Sequence, residues 1–213
     1  MHLGILNSLR AWNFFPFPDG VESNCNVGGF GIDGILSTVV GAAIARPEKI
    51  FFAVVGDLAF FYDLNSLGNR HRPENLRILL INNGRGTEFT NFNHPCYHFG
   101  EAAVPYMAAG GHFGCKSPEL VMHFASDLGY TYLTAHDKES YTRELARFID
   151  SNAKGPIIFE VFTEPKDESD AIEAIHNITA QPDGGMSLFA MIKSGTKRII
   201  GEKGRKIINI IRE

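Results

Sequence analysis

The chain has 213 residues, 44% of them apolar and 21% charged, so one large domain with its own core fits and wholesale disorder is excluded. No run of about 18 uncharged apolar residues exists, and Met1–Arg10 lacks the basic-then-apolar order of a secretion signal. The net charge of −4 is uneven: residues 193–213 hold seven basic and two acidic side chains, which leaves an acidic body that argues against nucleic acid as the main partner.

Glycine is the outlier, with 22 residues, a surplus that points to tight turns or to backbone held close to a ligand. Three cysteines, Cys25, Cys96 and Cys115, are too few and too odd for a disulfide framework, so free thiols in a reducing, cytoplasmic compartment are expected.

In chain order, short apolar runs alternate with longer helical patterns. Strands are predicted at Leu3–Leu6, Ile50–Val55, Leu76–Ile81, Tyr130–Leu133 and Pro156–Val161. Helices are predicted at Ile32–Ala45, Leu58–Asn69, Glu119–Asp127, Lys138–Ser151 and Ser169–Asn177. Phe51–Val55 and Ile78–Ile81 are apolar on both faces, as strands buried between two helix layers are. The pattern predicts an α/β domain, a three-layer arrangement around a parallel sheet. Asn83–Tyr106 reads as a long Gly/Asn/His-rich loop past a strand end, where ligand loops of such sheets lie. Residues 1–180 are expected to form the domain. A linker, Gln181-Pro-Asp-Gly-Gly185, leads into a basic, amphipathic helical extension over 181–213.

Several motifs compete. Gly29-x-Gly31-x-x-Gly34 matches a dinucleotide fingerprint, but the preceding Val21–Val27 is too polar for the buried strand that fold requires. Gly201-Glu-Lys-Gly204 has the layout of an RNA-binding Gly-x-x-Gly loop, without the strands such a domain needs around it. His94, Cys96, His98, His112 and Cys115 lack the usual spacing of zinc ligands.

The stretch 56–89 decides. Gly56-Asp57-Leu58 directly follows a buried strand, and Asn82-Asn83-Gly84 ends the next. If the strands are neighbours, Asp57 and Asn83 share one crevice. A carboxylate, an amide oxygen and a loop carbonyl form a hard, oxygen-only set suited to Mg²⁺. A helix starting near Leu58 would turn its free N–H groups toward an anion there.

Gly-Asp, about two dozen residues and Asn-Asn resembles the motif of thiamine-diphosphate-dependent enzymes. Asn26-Val-Gly-Gly-Phe-Gly-Ile-Asp-Gly34, Val55-Gly-Asp-Leu-Ala-Phe-Phe-Tyr-Asp-Leu-Asn-Ser-Leu67 and Ile81-Asn-Asn-Gly84 resemble one branch, the SEPHCHC synthases of menaquinone biosynthesis. Leu3-Gly-Ile-Leu-Asn-Ser8 resembles the opening of that branch's C-terminal, diphosphate-binding domain.

The resemblance implies a thiamine-diphosphate-binding fold with thiamine diphosphate and Mg²⁺ as cofactors. Asp57 and Asn83 would be side-chain metal ligands, and Arg85 a backbone-carbonyl ligand. Gly56, Leu58 and Ala59 would line the diphosphate, with Gly31 and Ile32 at the cofactor's rings and Glu88 and Phe89 over the thiazolium. Asn7, Ser8 and Arg10 are substrate candidates. Asp63 and Asn65 match the branch too, with a capping or packing role expected. The branch decarboxylates a 2-oxo acid and adds the product to an acceptor. Its activating glutamate lies on a pyrimidine-binding domain absent from this chain, so no catalytic residue is expected here. A partner domain or subunit and a homo-oligomer, dimer or tetramer, are expected instead.

Two arginines that the branch places near substrate are Trp12 and Val27 here. That leaves a second expectation, a remodelled or incomplete module for a different 2-oxo acid, served by a separate pyrimidine-domain subunit.

Overall fold

A computed structural model describes residues 1–29, 31–106 and 118–179. Met1–Asp170 form one compact unit, and the described residues after it, 171–179, belong to a second. The expected linker and extension over 181–213 lie outside the described residues.

Six strands form one sheet: β1 His2–Leu3, β2 Asn24–Cys25, β3 Phe51–Gly56, β4 Leu76–Asn82, β5 Thr131–Ala135 and β6 Ile157–Phe162. Their order is β2-β1-β3-β4-β6-β5 and every pair is parallel. The helices are α1 Asn7–Trp12, α2 Ile35–Ala45, α3 Asp57–Tyr62, α4 Leu120–Asp127, α5 Lys138–Phe148 and α6 Pro165–Thr179.

The side-chain alternation of the strands builds the three layers. Ala53 and Val55 of β3, Ile78 and Leu80 of β4 and Ile158 of β6 join one core. The helix side of that core is Ile35, Leu36, Val39 and Val40 of α2, Phe60 of α3 and Val121 and Ala125 of α4. The intervening residues Val54, Leu79 and Phe159 face a second core with Phe148 of α5, against which Leu9 and Trp12 of α1 pack. The three-layer parallel α/β fold expected from the pattern is the fold observed.

Boundaries differ from expectation for local reasons. The strand expected over Leu3–Leu6 stops at Leu3. Gly4 N–H donates to the Val54 carbonyl at 2.6 Å, and a Cβ on Gly4 would lie 3.0 Å from that oxygen. Leu6 then adopts φ 72°, the only positive φ of a non-glycine residue among those described, and starts the unexpected helix α1. The helix expected from Ile32 begins at Ile35, because Gly34 enters it in the left-handed conformation, φ 73°. The helix expected over Leu58–Asn69 is split. After α3 the chain tightens into a 3₁₀ turn at Leu64–Gly68. Asp63, at that break, accepts from Ser37 N–H at 2.7 Å and Ser37 Oγ at 3.0 Å. It caps the first turn of α2, the local role expected of it. Strand β2 is absent from the expected elements: Asn24 is exposed, only Cys25 packs on the second core, and it is held by backbone pairing to β1.

Candidate functional site

The strand order reverses between β1 and β3. The connection from β1 leads to β2 on one side, and that from β3 leads to β4 on the other. Crevices at such switch points, outside the carboxyl ends of the strands, are where open α/β sheets take ligands. Gly4–Asn7 and Gly56–Asp57 end the two strands there.

Asp57 opens α3 and is 2% exposed, and its Oδ1 accepts from Leu58 N–H at 2.7 Å. Gly56 pairs in register with Ile81, so Asn83 lies two residues past the β4 partner of Gly56. The sheet thus brings Asp57 and Asn83 to the same end of neighbouring strands, as the spacing predicts. Asn83 Oδ1 accepts from Arg85 N–H at 3.0 Å, folding the backbone of Arg85 around the amide. The Arg85 guanidinium turns outward to Glu101, at 3.0 Å. The donor chemistry of Asp57, Asn83 and the Arg85 carbonyl fits a hard divalent cation such as Mg²⁺ and lacks the nitrogen and sulfur ligands zinc favours. No group of three or more His, Cys, Asp or Glu that could hold a metal exists among the described residues. His94 and Cys96 meet only through a hydrogen bond from Cys96 N–H to His94 Nδ1, at 3.1 Å, and His112 and Cys115 lie outside the described residues.

The remaining expected residues fall into two groups. Ala59 is buried with its methyl in the first core, so only its backbone can face a ligand, and Ile32 packs at the rim of that core. Gly56 has open space where a Cβ would be. Gly31 does not: a Cβ there would overlap the Asp33 carboxylate. Asn7, Arg10, Glu88 and Phe89 are drawn together on the other side of the crevice. Asn7 Nδ2 donates to Thr87 Oγ1 at 2.6 Å, and its Oδ1 accepts from Asn91 at 2.7 Å. Arg10 forms a forked ion pair with Glu88, which holds the guanidinium pKa above its ordinary value despite partial burial. Phe89 meets His94 edge-on with centroids 5.2 Å apart. Ser8, half-buried in the first turn of α1, adjoins Asn7.

Sequence reasoning missed the carboxylates behind these residues. Glu160, 1% exposed on β6, accepts from Asn82 Nδ2 and from Tyr132 Oη, each at 2.7 Å. Burial pushes its pKa up, as it does that of Tyr132. One signal was available, a lone acid inside the apolar run Ile157-Ile-Phe-Glu-Val-Phe162. Glu168, in the first turn of α6, accepts from Asn83 Nδ2 at 2.9 Å and from Thr163 Oγ1 at 2.5 Å. Nothing local in the sequence marks it. A cavity of about 700 Å³ opens beside these groups, lined among others by Asn82, Asn83, Gly84, His136, Thr163 and Asp167. Its wall includes the His136 imidazole stacked on Phe162, 4.5 Å between centroids.

Comparison with known proteins shows the family. Residues 10–161 match the family described as thiamine pyrophosphate enzyme, C-terminal TPP binding domain. Over 164 residues the chain is 35% identical to 2-succinyl-5-enolpyruvyl-6-hydroxy-3-cyclohexene-1-carboxylate synthase of Bacteroides fragilis, covering 76% of this chain and 28% of that protein. The enzyme of the same name from Bacteroides thetaiotaomicron is 34% identical over 164 residues, with the same coverages. That from Desulfotalea psychrophila is 32% identical over 166 residues, 77% of this chain and 28% of the relative. The chain therefore spans a little over a quarter of the length of these curated relatives.

Proposed function

The chain belongs to the family of C-terminal TPP-binding domains of thiamine pyrophosphate enzymes, and on that premise we propose that it holds the diphosphate of thiamine diphosphate through Mg²⁺ at the carboxyl ends of β3 and β4. The observation that carries this is the register of those strands, which brings Asp57 and Asn83 to the same end of neighbouring strands at the switch-point edge of the sheet. Asp57, Asn83 Oδ1 and the Arg85 carbonyl are the protein's oxygen donors, and a small octahedral cation completes its shell from water and phosphate oxygens. Gly56 leaves room for an anion to approach the backbone at the start of α3. Residues 1–180 are then the diphosphate-binding domain.

When bound, thiamine diphosphate supplies the electron sink for decarboxylating a 2-oxo acid and joining the product to an acceptor, the chemistry of a decarboxylase and carboligase. This chain orients the cofactor and shields it. Ile32 offers an apolar face to the rings, and the Glu88–Phe89 turn, pinned by Arg10, covers the approach. The activating carboxylate is assigned to a pyrimidine-binding domain or subunit. Exposed Tyr97, Phe99 and Tyr106 on the loop after β4 give such a partner, or a second copy in a dimer or tetramer, an apolar face to cover.

One observation favours a substrate other than that of the relatives. Arg10, the guanidinium among the substrate candidates, is engaged by Glu88, while Trp12 stacks on Phe17 and Val27 is exposed. A remodelled module acting on a different 2-oxo acid fits that arrangement. The test is calorimetric titration of thiamine diphosphate with Mg²⁺ and with chelator. Saturable, Mg²⁺-dependent uptake that Asp57→Ala reduces at least a hundredfold is expected. Uptake indifferent to chelator or to Asp57 would sink the metal-bridged site.

A further inference from the structure

We propose that Glu168 is a positioning residue that sets the orientation of the Asn83 side chain, so that its carbonyl oxygen and not its NH₂ group faces the cation; this rests on the metal reading above. An ionised carboxylate only accepts hydrogen bonds. An amide in contact with one must therefore present nitrogen to it and oxygen to the opposite side. Asn83 Nδ2 lies 2.9 Å from Glu168 Oε2. The carboxylate is itself held, by Thr163 Oγ1 at 2.5 Å on Oε1 and by Thr87 Oγ1 at 3.5 Å on Oε2. Thr87 is in turn fixed by Asn7. On the far side of the amide, Oδ1 accepts from Arg85 N–H at 3.0 Å. A carbonyl oxygen has two lone pairs, so one remains for a cation.

The neighbouring asparagine shows the same device used differently. Asn82 Nδ2 is held by Glu160, and its Oδ1 accepts from Gly84 N–H at 3.1 Å. Successive residues of a strand end point to opposite faces, so each amide needs its own carboxylate. Glu160 is sealed in the sheet and shapes the turn. Glu168 is half-buried on α6 and acts on the ligand itself. A carboxylate behind a metal ligand also adds negative charge near the cation, and loss of such outer partners typically weakens metal affinity about 10–100-fold.

The test uses the full chain, with Mg²⁺-dependent thiamine diphosphate uptake measured by calorimetry and folding checked by thermal melting. Glu168→Ala should weaken uptake at least tenfold at nearly unchanged melting temperature. Asn83→Asp should weaken it as well, although a carboxylate is a good Mg²⁺ ligand, because two carboxylates then face each other with no proton between them. Adding Glu168→Gln to Asn83→Asp returns a donor to the pair, and the double variant should bind at least fivefold tighter than Asn83→Asp alone. This reversal of donor and acceptor does not depend on Glu168→Ala folding well. A double variant no better than Asn83→Asp, or Glu168→Ala binding like wild type, overturns the role of Glu168 and leaves the metal site standing. A wild type whose uptake ignores Mg²⁺ overturns the metal site, and the role of Glu168 falls with it.

Discussion

The two edges of the sheet are both rich in polar side chains, but those side chains bond to different things. At the amino edge they bond to backbone. Arg77, 2% exposed at the start of β4, donates to the carbonyls of Gly155 at 2.7 Å and Ala153 at 2.8 Å. Asn75 Nδ2 reaches the carbonyls of Ala43, Arg46 and Lys49. At the carboxyl edge, side chains that accept from nearby backbone N–H groups also bond to one another: Asn82 to Glu160, Asn83 to Glu168, Asn7 to Thr87 and Asn91, Arg10 to Glu88. A side chain tied to backbone carbonyls staples a connection. Side chains that hold one another fix the direction of oxygens that keep spare lone pairs. The first edge serves stability, and the second is where the proposed ligand site lies.

That contrast can be broken experimentally, and the largest effect is expected at the amino edge. Arg77→Ala leaves the half-buried carbonyls of Ala153 and Gly155 without their donor and opens a void, at a cost of about 3 kcal/mol. Denaturant unfolding should show it, while Mg²⁺-dependent cofactor uptake per folded molecule stays as in wild type; a loss of affinity with stability intact would erase the distinction between the edges.

Glu160 comes next, because it belongs to the carboxyl edge yet is buried like an amino-edge residue. Glu160→Leu strands the Asn82 amide and the Tyr132 hydroxyl, and about 2 kcal/mol of destabilisation is expected. Glu160→Gln keeps the shape and tests the charge. Burial raises the pKa of Glu160 above its ordinary 4.5, so the folded protein holds that proton more tightly than the unfolded chain does. Wild type therefore loses stability from this group as pH rises from about 4.5 through the raised value, and above it the loss is complete. The stability of Glu160→Gln relative to wild type should increase across that window, read from urea midpoints at successive pH values. A flat difference would mean that the Asn82 and Tyr132 hydrogen bonds offset the burial.

The smallest effect is expected at the cap of α2. Asp63→Ala removes the cap on α2 and should lower stability by about 1 kcal/mol, seen in thermal melts, with cofactor uptake unchanged.

What can be read from the sequence follows the strength of local signals. Phe51–Val55 and Ile78–Ile81 are apolar on both faces, short runs ended by Gly-Asp and Asn-Asn that fit buried strands. The spacing alone therefore puts Asp57 and Asn83 at the carboxyl ends of two buried strands, where the sheet has them. Helix α1 cannot be read that way: it has six residues, none of them fully buried, and starts from the left-handed Leu6. Strand β2 exists through backbone pairing that leaves no side-chain pattern. The 3₁₀ turns at Thr87–Thr90 and Pro95–Tyr106 lie in a stretch without apolar periodicity. Glu168 illustrates a deeper limit. Its part in the site depends on a contact with a residue 85 positions away, and no spacing rule reaches that far.

The parallel pairing also governs how the protein assembles in time. Every ladder in the sheet joins strands separated by a crossover, and β4 meets β6 in a register that couples Arg77 to Ile157. Such long-range closures are slow and yield little until complete. Asp57, Asn83 and Glu168 come from three segments that only those closures unite. Asp57 and Asn83 therefore meet once the β3–β4 ladder closes, and Glu168 joins them after β6 has paired with β4.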